Sequence, residues 1–135
     1  MQPSGDMTFH HLGVACANLL AEMKCFQSLG YTQESNIFRD PFQRVQGVFL
    51  SGPGPRLELL APLDPHSPVT SWLEKGVKYY HQAFEVPSMD RALFDLREHR
   101  GRVVSPPEPG IAFGGRPIAF VMLPGMLLIE VIQAA

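Results

Sequence analysis

The 135-residue chain has no apolar run near the ~18 residues that a membrane-spanning helix needs. Its opening, MQPSGDMTFHH, lacks the apolar core of a secretory signal, so a cytoplasmic protein is expected. Cysteine is scarce: only Cys16 and Cys25 are present. Their spacing forms no metal-binding pattern and does not line them up on one helix face. Reduced structural thiols are therefore expected, not a disulfide. An excess of one charge is also missing, with eleven Lys+Arg against thirteen Asp+Glu and a net charge of −2. That balance excludes nucleic acid as a general partner. The basic group Arg97, Arg100 and Arg102 reads as a solvated helix end, where cations are favoured.

What is present is the composition of an ordinary globular protein, 45% hydrophobic and 18% charged. At this length one domain can bury roughly 68–70% of its unfolded surface. Periodicity gives a strand at FHHLGVA (9–15) and an amphipathic helix at NLLAEMKCFQSLG (18–30) stopped by Gly30. Short strands follow near 31–37, 45–50 and 56–61, set apart by the turn-rich RDPFQ and SGPGP. The stretch 61–76 reads as a linker with one short helical turn. A second strand–helix pair comes next, HQAFEV (81–86) and SMDRALFDLREHRG (88–101), with Ser88 as N-cap and Gly101 as terminator. Strands near 102–105, 117–122 and 127–133 complete the chain, the first two separated by the loop PPEPGIAFGG (106–115).

The order β-α-β-β-β thus occurs twice, in repeats of about 9–61 and 81–133 joined by 62–80. Superposing the repeats aligns His11 with His81 and Gly30 with Gly101. Two acids that look misplaced in apolar strands also align: Glu58 in RLELLAP, 47 residues after His11, and Glu130 in LLIEVIQ, 49 after His81. A buried, unpaired carboxylate costs several kcal/mol, so such groups are paired, protonated or metal-bound. Each half supplies one His and one Glu. Strand alternation puts His11 on a face with Phe9, Gly13 and Ala15, and His81 on a face with Ala83 and Glu85. Small neighbours leave room for a ligand, and Gly13 and Ala83 are expected to line its pocket. Two imidazoles and two carboxylates make a site for one divalent cation, whose charge offsets the burial of both acids. Co, Ni, Zn, Mn and Mg all suit that donor set. His10 is set aside because parity points it away from His11, and His66 and His99 read as loop and helix-end residues.

These motifs resemble the vicinal-oxygen-chelate superfamily, which includes glyoxalase I, extradiol dioxygenases, bleomycin-resistance proteins and methylmalonyl-CoA epimerase. The epimerase branch is the most similar. HHLGVA, LELLAPLDPHSPVTSWLEK, YYHQAFEVPSMDRAL and GGRPIAFVMLPGMLLIEVIQ carry the resemblance, which spans His11 to Gln133. It implies an α+β fold of two βαβββ modules forming a cup-shaped, eight-stranded mixed sheet around one metal. The family's ligand positions fall on His11, Glu58, His81 and Glu130, and its proton-transfer carboxylate falls on Glu130. A small-molecule substrate, such as an acyl-CoA, and a homodimer are the partners this implies.

One departure bears on activity. Such epimerases carry a second catalytic Glu within Pro-Glu-His/Gln-Gly-Val, and the matching segment DPFQRVQGVF has Phe42 there, between Pro41 and Gln43. Phe42 and Gln43 are expected at the substrate pocket, but neither is a base. The first His of the family's middle HH pair is replaced by Tyr80. The leading reading is a metal-dependent isomerase or lyase moving a proton α to a carbonyl, resembling methylmalonyl-CoA epimerase without its second base. The alternative is a non-catalytic, drug-sequestering binding protein of the same fold. A ring-cleaving dioxygenase is disfavoured, because Glu58 would take a coordination position that oxygen chemistry needs open.

Overall fold

A computed structural model describes residues 6–135; residues 1–5 of the opening segment read above for targeting lie outside the described residues. Among the described residues nine strands form a mixed, open sheet, with three α-helices, in an α+β arrangement. The chain divides into two compact units, one of residues 11–80 and one of residues 6–10 with 81–135.

In the unit of residues 11–80, β1 (Thr8–Ala15) pairs parallel with β5 (Leu57–Pro62). β5 pairs antiparallel with β4 (Val45–Ser51), which also takes β2 (Thr32–Gln33) and β3 (Phe38–Asp40) along its other edge. The resemblance implies eight strands; of the strand expected at 31–37 only Thr32–Gln33 forms, and the ninth, β3, lies beyond it and runs into the stretch expected as a turn. Between β2 and β3 the Ser35 hydroxyl, not a backbone carbonyl, accepts the Phe49 N–H at 3.0 Å, so the ladder is interrupted. Helix α1 (Leu19–Gln27) starts where the Asn18 side chain accepts the Ala21 N–H at 2.9 Å. It buries Leu19, Met23 and Phe26 against Val14, Val48, Leu50, Leu57 and Leu59. The presumed linker holds a two-turn helix, α2 (Pro68–Glu74), because Ser67 caps Val69 and Pro68 occupies its first turn.

The other unit repeats this plan. β6 (Tyr79–Val86) pairs parallel with β9 (Leu127–Gln133), and β8 (Pro117–Leu123) lies antiparallel between β9 and β7 (Arg102–Pro109). Helix α3 (Met89–Glu98) is capped by Ser88 on the Arg91 N–H and buries Met89, Ala92 and Leu93 against Val121, Ile129 and Val131. Its left-handed terminal residue is Arg100, φ 67°, and not the expected Gly101. Gly101 is needed for space, since a Cβ there would lie 2.6 Å from the Leu96 carbonyl oxygen. β7 runs through Pro106, Pro107 and Pro109, residues expected in a loop. It pairs on one side with β8 and ends the strand order, where prolines need donate no ladder bond. No helix among the described residues is long and apolar enough to cross a membrane.

Candidate metal centre

In residues 11–80, Gly13 and Glu58 are direct partners across the β1–β5 ladder. His11 stands two residues before Gly13 on the same face, so its ring leans over the small residue toward the acid. His11 Nε2 lies 2.9 Å from Glu58 Oε1, and the two are 0% and 4% exposed. Phe49 is Glu58's partner on β4, and its ring meets the His11 ring edge-on at 5.3 Å.

The other unit builds the same device from the same residue types. Ala83 and Glu130 are ladder partners, and His81 stands two residues before Ala83. His81 Nε2 lies 3.2 Å from Glu130 Oε1, at 4% and 2% exposure. Phe120 is Glu130's partner on β8 and meets His81 edge-on at 5.4 Å. Each pair is a His, a small residue, a Glu and an aromatic wall. The two walls were not read from the sequence. Their signal was available: Phe49 follows His11 by 38 residues and Phe120 follows His81 by 39.

Gly13 and Ala83, expected at a pocket, are the buried small residues under the two rings. Phe42 sits in the turn between β3 and β4 and is 67% exposed, while Gln43 beside it is half-buried. That turn is tied by Asp40, a buried acid whose Oδ1 accepts the Gln43 N–H at 3.1 Å. Arg44 closes it in the left-handed region, φ 59°, where the epimerase pattern has glycine. Tyr80 is buried, with its ring 6.0 Å from that of Trp72. Both cysteines are free thiols, Cys16 buried and Cys25 exposed.

Residues 10–120 match the family model described as glyoxalase/bleomycin resistance protein/dioxygenase superfamily. The chain belongs to that superfamily. Mitochondrial methylmalonyl-CoA epimerase of Mus musculus is 30% identical over 129 residues, covering 93% of this chain and 72% of the mouse protein. The crystal structure of methylmalonyl-CoA epimerase from Mycobacterium tuberculosis superposes with a TM-score of 0.82 at 26% identity, over 100% of this chain and 93% of that one. A Streptomyces coelicolor methylmalonyl-CoA epimerase variant, solved in complex with 2-nitronate-propionyl-CoA, gives 0.81 at 27% identity, over 96% and 99%.

As donors for a superfamily metal, the two pairs fit. Imidazole nitrogen and carboxylate oxygen suit a divalent ion, and buried acids of this kind need a compensating charge. His10, in contrast, does not follow its expected orientation. Met7 packs into the α3 core and Phe9 packs on Phe84, a residue on the face of β6 opposite His81. His10 therefore takes the His81 face, and its ring meets Phe113 at 5.4 Å. Leu12, of the same parity as His10, packs into the α1 core. The alternation of β1 is thus not a single register along its whole length, which parity alone assumed.

Proposed function

We propose that His11, Glu58, His81 and Glu130 hold one divalent ion, and that the chain is an isomerase moving a proton α to the carbonyl of an acyl thioester. The observation that carries this reading is the duplicated His–Glu pair, buried and built identically in both units. The support for a shared ion is that the repeat places an equivalent buried His–Glu pair in each half. Relatives named as methylmalonyl-CoA epimerases supply the substrate class. On this reading residues 9–61 and 81–133 are two repeats of one domain.

A bound ion would supply Lewis-acid polarisation of the substrate carbonyl. His11, His81 and Glu58 hold position. Glu130 takes the α-proton onto a carboxylate oxygen and returns it, the role of a general base. Phe49 and Phe120 keep water from the imidazoles. Phe42 stands where the epimerase pattern has its second carboxylate, so a base serves only one face of the carbon. The test is metal analysis of the purified protein, followed by incubation with methylmalonyl-CoA in deuterated water. One ion per chain and deuterium entering faster than stereochemistry inverts are expected. Protein without metal affinity, or metal-loaded protein without exchange, overturns the reading.

The alternative, a non-catalytic binding protein, is favoured by one observation: Phe42 offers an exposed ring where a base would stand. Tight binding of an unrelated small molecule, together with absent exchange, selects it.

A further inference from the structure

Beyond the two pairs, the unit containing β6 carries a charged device on the His81 face that the other unit lacks. His81, Ala83 and Glu85 share a face of β6. Glu85 Oε2 accepts from Arg116 Nη1 at 2.8 Å. The position four residues after His11 is Ala15, so the first half has no counterpart. Arg116 closes a glycine-rich turn between β7 and β8, in which Gly114 and Gly115 have φ of 64° and 87°. Its Nε donates to the Phe113 carbonyl at 3.2 Å and its Nη1 also donates to the Gln133 carbonyl at 3.2 Å. The Phe113 ring lies 6.0 Å from the guanidinium carbon, and its other neighbour is His10.

These bonds fix the guanidinium plane through Nε and Nη1. Nη2, with two N–H donors, makes no bond among the described residues. The side chain is 27% exposed. A planar, pre-oriented guanidinium held through Nε and Nη1, with the Nη2 donors unused, is suited to an oxyanion, to which Nη2 donates a charge-assisted N–H bond.

We infer that Arg116 is a specificity-determining residue that binds an oxyanion on the substrate remote from the reacting carbon, with Glu85 as its positioning residue. This rests on the proposed isomerase reading for the identity of the reacting centre. Four residues of strand separate His81 from Glu85, about 13 Å between their Cα positions. A carboxylate attached to the reacting carbon is too close to that carbon to serve Arg116. The oxyanion belongs either to the phosphates of a coenzyme A carrier or to a second carboxylate far along the acyl chain. The chemistry is common to both, and the substrate decides between them.

The test compares wild type, Arg116→Gln and Arg116→Lys by calorimetric titration with three probes. These are coenzyme A, methylmalonyl-N-acetylcysteamine, which lacks the phosphates, and a series of linear dicarboxylates. Metal content and thermal midpoint are recorded for each variant to show that it is folded. Loss of this charge-assisted bond should weaken the recognised anion about 10–100-fold, with Arg116→Lys recovering part of the loss. A loss confined to coenzyme A assigns the phosphates; a loss confined to dicarboxylates assigns the distal carboxylate. Equal affinity of wild type and Arg116→Gln for every probe overturns the inference, as does an equal loss for the phosphate-free thioester. None of these readouts needs proton exchange, so failure of the isomerase reading is seen separately.

Discussion

The two units solve one problem with the same parts and differ at their edges. In both, a His and a Glu meet across a parallel ladder, over a small residue and beside a phenylalanine, with Nε2–Oε1 distances of 2.9 and 3.2 Å. In both, a polar N-cap starts the helix behind the sheet: Asn18 in one and Ser88 in the other. The turns diverge. One half ends its hairpin in a four-residue turn with exposed Phe42; the other has a glycine-rich loop whose Arg116 is bonded back to Glu85. Parts that meet in the core are constrained by packing, where a one-residue slip would send every side chain to the other face. Turns carry no such constraint, and there the halves differ.

The sharpest way to break this asymmetry is to give the first half the base it lacks. Phe42→Glu should raise inversion of methylmalonyl-CoA by about 10²–10⁴-fold, the usual contribution of one acid–base group. Metal content should not change. The measurement is inversion rate beside deuterium incorporation in both proteins. Wild-type inversion as fast as exchange would show that the turn needs no second carboxylate.

The equivalence of the pairs can be tested directly. His11→Ala and His81→Ala should each reduce divalent-metal affinity by more than the about 10–100-fold that losing an outer hydrogen-bond partner costs. Titration calorimetry on each variant gives the comparison. A large loss for one histidine and none for the other would mean that the halves do not share an ion.

How far these features were legible in the sequence follows the same division. His11, Glu58, His81 and Glu130 stood out because an acid between apolar residues is costly, and because the repeat places both acids alike. The β-α-β-β-β order was readable because apolar alternation and caps are local. Phe49 and Phe120 were not read, since a phenylalanine in a strand looks like ordinary core until its ladder partner is known. His10 departs from the parity reading because parity assumes an unbroken alternation, whereas Phe9 packs on Phe84 and Leu12, three residues on, packs into the α1 core. The break at Ser35 and the strand through Pro106–Pro109 both depend on pairing with distant residues, which local propensity does not encode.

The two cysteines offer a third contrast, within one half. Burial, then the nearby Glu22 carboxylate, pushes the Cys16 thiol from 9.0 up to about 12, outweighing Lys78 and the bond to the Leu60 carbonyl. A group whose folded pKa is raised stabilises fully below its unfolded value and loses that contribution as pH climbs toward the folded one. Stability should therefore fall between about pH 9 and 12, at up to about 1.4 kcal/mol per pH unit from this group. Cys16→Ala should flatten that slope in denaturant titrations, whatever the substitution costs at neutral pH. Alkylation at pH 8 should label exposed Cys25 and spare Cys16. Equal labelling of both would show that the α1 core opens readily.

The smallest expected effect separates the helix ends. α1 is followed by Gly30 at φ 105°, whereas α3 is followed by Arg100 at φ 67°, in the region that side chains resist. Replacing Gly30 by Ala tests backbone strain alone, because a Cβ there would meet nothing closer than Pro53 at 3.6 Å. It should cost about 1 kcal/mol. Arg100 is exposed, so Arg100→Gly removes strain with little lost contact and should stabilise by about 0.5–1 kcal/mol. The two substitutions exchange the terminators of the halves and should move the denaturation midpoint in opposite directions. If Arg100→Gly destabilises instead, glycine's extra freedom in the unfolded chain outweighs the relief of strain. The half that ends its helix on arginine would then be the better-terminated one.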